Sequence, residues 1–80
     1  MEEEEEMSDF IRSTLEALKG HVSNKNAQGA RVESYLFRSA MDDYKAISTS
    51  PHKVEEFKKQ YLETMNNGGH SLIGRGNLPQ

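Results

Sequence analysis

The sequence predicts a small all-α protein: a three-helix bundle, or a helical hairpin plus an N-terminal helix, with a flexible acidic N-terminus and a Gly-rich C-terminal tail. Three observations carry that prediction. Apolar residues recur at steps of three and four in three separate stretches, which stacks side chains on one helix face, where a strand would need strict alternation. Ser48-Thr49-Ser50-Pro51 and Asn66-Asn67-Gly68-Gly69 separate or end those stretches with turn and stop signals. Eighty residues allow a single domain, one that buries only about 60% of its unfolded surface. The expected division is an acidic disordered leader or tag over 1–7, a three-helix domain over 8–67 with helices at about 9–19, 30–47 and 51–66, and a flexible tail over 68–80.

In the first helix, Ile11, Leu15, Leu18 and Val22 step by four, three and four, with Phe10 and Ala17 beside them. Ser8 or Asp9 serves as N-cap, and Asp9 near the start and Lys19 near the end both suit the helix dipole. Gly20 is a candidate stop, although Val22 continues the stripe for another turn. A polar connector, Ser23 to Asn26, follows, and Asn26 is placed to cap the second helix. Gly29 is expected to delay that helix's first turn.

Val32, Leu36, Ala40, Tyr44 and Ile47 form the expected core stripe of the second helix, and Phe37 and Met41 widen it. Ser50 is the expected side-chain cap of the third helix, with Pro51 at its first position, where a missing N–H costs nothing. Val54, Phe57, Tyr61, Leu62 and Met65 then point inward, and Glu55–Lys59 is an i,i+4 pair worth about 0.3 kcal/mol. The short turn between the second and third helices implies that they fold back on each other.

The formal charge of −3 conceals a division. Without the run Glu2–Glu6, ten basic residues face eight acidic ones, so the body of the chain is nearly neutral. Met7-Ser8-Asp9 reads as a second natural start, and the run itself as a tag or solvated tail. Neither charge balance nor patterning favours nucleic acid: Lys53, Lys58, Lys59 and Gln60 are interleaved with Glu55, Glu56 and Glu63. With no cysteine there is no disulfide framework, thiolate nucleophile or zinc–thiolate site. No apolar run is long enough for a membrane span or signal-peptide core, and a cytoplasmic, intracellular location is expected.

No catalytic, cofactor-binding or metal-binding residues are expected, and the chain is read as a non-enzyme. His21, His52 and His70 lie in different segments without H-E-x-x-H spacing, Asp42 and Asp43 diverge on their helix, and the tail glycines lack the pattern of a phosphate loop. The expected function is protein–protein contact by a self-associating adaptor, regulator or assembly protein, of a kind found among small viral or accessory proteins. Tyr35, Phe37, Met41, Tyr44, Phe57 and Tyr61 are the candidate partner-binding residues, because three short helices cannot cover so wide an apolar surface. A helical DNA-binding regulator is the alternative.

Phe10 to Leu18, Val32-Glu33 to Phe37, and Glu55-Glu56-Phe57 with Tyr61 resemble the three helices of KIX coactivator domains. The resemblance covers most of residues 9–66 and rests on generic helix patterns. It implies a groove between helices that binds amphipathic segments, and it transfers no individual site residue.

Overall fold

A computed structural model describes residues 2–73, and they form three long helices and a final helical turn: α1 (Glu2–Ser23), α2 (Ala27–Ile47), α3 (Pro51–Thr64) and α4 (His70–Ile73). The all-α three-helix architecture is as the sequence predicts, and among the described residues there is no strand. At 1.5 Å per residue α1 alone is about 33 Å long, close to the 36 Å long axis of the molecule. Ile11, Leu15 and Leu18 from α1, Ala30, Phe37, Ala40, Met41 and Tyr44 from α2, Phe57 and Tyr61 from α3, then Met65 and Ile73, make one continuous core.

The α1–α2 connection is a tight helix-ending motif. Asn26 N–H donates to the His21 carbonyl (2.8 Å) and Lys25 N–H to the Val22 carbonyl (3.1 Å), nested around Lys25 at φ +57°. This six-to-one and five-to-two pairing satisfies carbonyls the helix end would otherwise leave bare. The helix therefore runs past Gly20 to Ser23, the extension that Val22 suggested. Asn26 then caps α2 by accepting from Gly29 N–H at 3.0 Å. The expected delay at Gly29 does not occur: α2 starts at Ala27, and Gly29 sits where a Cβ would come within 2.8 Å of the His21 and Asn26 side chains.

The acidic stretch differs from the disordered leader expected over 1–7. Residues 2–7 are the opening turns of α1. Met7 packs on the core one turn before Ile11, Ser8 is buried, and carboxylates near a helix N-terminus are favoured by its dipole. Glu4 also reaches the α2–α3 bend: the Thr49 hydroxyl donates to its Oε1 (3.1 Å) and the Thr49 N–H to its Oε2 (3.4 Å).

At that bend the expected Ser50 side-chain cap is absent. Ser48 instead braces the bend, its hydroxyl accepting from Ser50 N–H (3.0 Å) and donating to the Ser50 carbonyl (3.2 Å). Pro51 begins α3 as expected. Past Thr64 the chain widens into a turn over Met65–Gly69 and kinks at Gly68, φ +135° and ψ −18°, a conformation open to glycine at little cost. The kink reverses the tail predicted to be flexible over 68–80: residues 70–73 form α4, and Ile73 is 1% exposed. The remainder of that tail, 74–80, lies outside the described residues.

The pairing of helices also departs from expectation. The most extensive backbone contact is between α1 and α2, while α2 and α3 meet mainly through aromatic rings. Large rings between α2 and α3 keep their backbones apart, and that separation opens the groove described next.

Candidate functional site

The buried face of α2 is turned relative to the stripe read from the sequence. Ala30, Ser34, Phe37, Ala40, Met41 and Tyr44 face inward, whereas Val32 is 54% and Leu36 38% exposed. The inward row mixes small and polar residues with large ones, so its hydrophobicity is diluted. The Val32–Leu36 row is more apolar by composition yet faces solvent. Leu62 of α3, also expected inside, is 55% exposed.

Of the six candidate partner-binding residues, Tyr35 lies on the solvent side of α2 and the other five are buried in this chain's own core. Phe37 stacks on Tyr61 with centroids 4.6 Å apart and planes 4° apart, and Tyr44 meets Phe57 edge to face at 5.8 Å and 65°. The Tyr61 and Ser34 hydroxyls are hydrogen-bonded to each other. The Tyr44 hydroxyl is buried without a partner among the described residues.

Phe37, Met41 and Tyr61 come together again at the edge of the core, where they line an open groove of about 1120 Å³ between α2 and α3. Leu62 extends the apolar lining toward solvent. Tyr35, Tyr44 and Phe57 take no part in it. The groove's charged edges carry four cations, Arg38, Lys45, Lys58 and Lys59, against four carboxylates, Asp42, Glu55, Glu56 and Glu63. Their distribution is uneven, with Arg38 and Lys45 on the α2 wall and three of the four carboxylates on α3. Lys58 lies 3.9 Å from Glu55, replacing the expected Glu55–Lys59 pair, and this contact is solvent-screened. Arg38 and Lys45 have no ion-pair partner among the described residues. Seven-residue spacing places Arg31 in the same row of α2.

A smaller cleft of about 650 Å³ lies between the end of α1 and the α3–α4 kink, with Lys19, Lys25, Gln60 and Asn67 among its polar lining. The three histidines remain apart: His21 accepts from the Asn26 amide (3.3 Å), His52 lies at the groove's end, and His70 is half-buried in α4. Among the described residues no three His, Cys, Asp or Glu side chains are grouped to hold a metal ion, and no helix is long and apolar enough to cross a membrane.

The groove could not be read from the sequence because its walls come from helices whose relative phase depends on core packing. The one available signal was Leu62, an apolar residue beside Tyr61 that a single helix face cannot bury together with Phe57. No family model matches the chain, and no curated protein and no solved structure is significantly similar to it.

Proposed function

We propose that this chain is a non-enzymatic protein-interaction module whose docking surface is the α2–α3 groove. The observation that carries the reading is the continuity of Phe37, Met41 and Tyr61 with exposed Leu62 along an open groove of about 1120 Å³. An apolar trough with charged edges suits an amphipathic helix laid lengthwise, its anchors spaced at i, i+3, i+4 and i+7. Core residues support the groove from below, so its shape is maintained before a guest arrives and binding costs little ordering entropy. An adaptor or assembly role, with self-association among its forms, follows from such a surface.

Nitrogen-15 NMR spectra titrated with a synthetic amphipathic helix carrying acidic residues along one edge test the reading. Amide shifts concentrated around Phe37, Met41, Tyr61 and Leu62, and lost in Leu62→Glu, are expected. Shifts scattered over all three helices, or none at high peptide excess, would overturn it.

The row Arg31, Arg38 and Lys45 favours a second reading, a helical DNA-binding regulator. Its affinity would depend on cations neutralising phosphates, and Asp42, Glu55, Glu56 and Glu63 on the same groove oppose that. A low-salt mobility shift that disappears in Arg38→Glu would establish this reading in place of the first.

A further inference from the structure

We propose that the groove's occupant is a second copy of this chain, presenting the exposed Glu3–Glu6–Phe10 face of its α1. This inference rests on the reading of the groove as a docking surface, and it names the partner.

The guest face follows from helix geometry. Positions 3, 6 and 10 are spaced i, i+3 and i+7, so their side chains lie along one side of α1. All three are exposed, Phe10 at 46%. That face presents one large apolar anchor followed, toward the N-terminus, by two carboxylates. Neither Glu3 nor Glu6 has an ion-pair partner among the described residues, whereas Glu4 of the same run is held by Thr49.

The host has the complementary pattern. Its apolar lining is Phe37, Met41, Tyr61 and Leu62, and its α2 wall carries Arg38 and Lys45, neither ion-paired among the described residues. Arg38 and Lys45 are seven residues apart, roughly 10.5 Å along α2, and Glu3 and Glu6 are three apart, roughly 4.5 Å along α1. With Phe10 of a guest on the lining, its two carboxylates fall within the stretch between the two cations, where the long basic side chains can reach them from either end. The opposite orientation would turn those carboxylates toward α3, where Glu55, Glu56 and Glu63 outnumber Lys58 and Lys59, so the charge balance favours one direction of docking. Asp42 sits roughly 40–60° around α2 from the Arg38–Lys45 row, toward its solvent side, and weakens the attraction without reversing it.

Guest face and host groove lie on different parts of the chain. The contact either closes reciprocally, as a dimer in which each copy gives α1 and receives α1, or continues head to tail.

Sedimentation velocity of the full chain over a wide concentration range, at low and at high salt, tests the proposal. Association is expected at low salt and should weaken at least about ten-fold at high salt, because exposed charges are screened. Phe10→Ala should weaken it by a similar factor. Glu3→Lys with Glu6→Lys should abolish it, as should Arg38→Glu with Lys45→Glu. The chain carrying all four reversals should associate again, a rescue that misfolding cannot produce; all these positions are on the surface, and circular dichroism checks each variant's helicity. A wild-type chain that stays monomeric at near-millimolar concentration and low salt, or one whose association ignores the reversals, overturns the proposal. If such a monomer's groove still binds the acidic-edged peptide, the occupant belongs to another protein; if it does not, the docking-groove reading fails as well.

Discussion

Phe37 and Tyr61 lie parallel, their centroids 4.6 Å apart, whereas Tyr44 and Phe57 cross at 65° with centroids at 5.8 Å, yet both pairs bridge the same two helices. Both are favoured aromatic geometries, so ring contact alone does not distinguish them. The hydroxyls do. Tyr61 shares a hydrogen bond with buried Ser34, which ties the groove's edge to the interior of α2. Tyr44 carries its hydroxyl into a site with no exposure and no partner among the described residues. An unpaired buried hydroxyl costs about 1–3 kcal/mol, so the polar group supports the fold at one pair and opposes it at the other. The pair beside the groove is the one with its polar atoms satisfied, and that fixes the position of the ring a guest would meet.

The largest way to break this comparison is to remove a ring. Phe37→Ala should cost about 3–5 kcal/mol through lost burial and the space left behind. A domain of this length has about 4–12 kcal/mol of stability in total, so urea denaturation followed by circular dichroism should show a large fall in midpoint. A drop under about 1 kcal/mol would mean that the stacked pair contributes little to the core.

Deleting one oxygen from each tyrosine sharpens the contrast, because the same chemical change should give opposite signs. Tyr61→Phe is expected to destabilise by about 1 kcal/mol, and Ser34→Ala added to it should then change little, since both partners have become apolar. Tyr44→Phe should be neutral or stabilising by up to about 1 kcal/mol. If both Tyr→Phe variants lose stability equally, the Tyr44 hydroxyl has a partner in solution and the distinction between the pairs collapses.

The smallest effect concerns Arg12, whose guanidinium lies 5.9 Å from the Phe57 ring centroid and 3.0 Å from Asp9. Arg12 and Asp9 are solvent-exposed, so Arg12→Gln should cost no more than about 0.5–1 kcal/mol and less at high salt. Thermal melts at two ionic strengths would measure it.

Helix existence and most of the punctuation were legible in the sequence because they are local. Pro51 begins α3, Asn26 caps α2, and the Asn66–Gly69 segment ends the third helix, each through backbone preferences that need no neighbour. The phase of α2 was not legible. Val32 and Leu36 make the more apolar row, yet Ala30 and Ser34 occupy the inward one, a choice set by how closely α1 can approach. Residues 2–7 depart from the expected leader for a related reason: Glu3, Glu5 and Glu6 are exposed, as a solvated run should be, but Met7 and Ser8 beyond them hold the helix to the core. At the candidate site, Phe37, Met41 and Tyr61 were found from their aromatic or flexible apolar character. Leu62 fits the inward stripe of α3 by spacing alone, and the cationic wall depends on how α2 lies beside α3, which no local pattern encodes.

The reversal at Gly68 sets an order for assembly. Ile73 fills its place in the interior only after the chain has passed a position that disfavours any side chain, since a Cβ at Gly68 would combine left-handed backbone with a 3.3 Å approach to Val22. During synthesis α1 and α2 emerge first and can zip together through contacts near in sequence, while the plug at the far end of the bundle is still inside the ribosome. Until residue 73 is out, the nascent bundle has an unsealed end, and that interval is when a chaperone or a premature partner would find it most open.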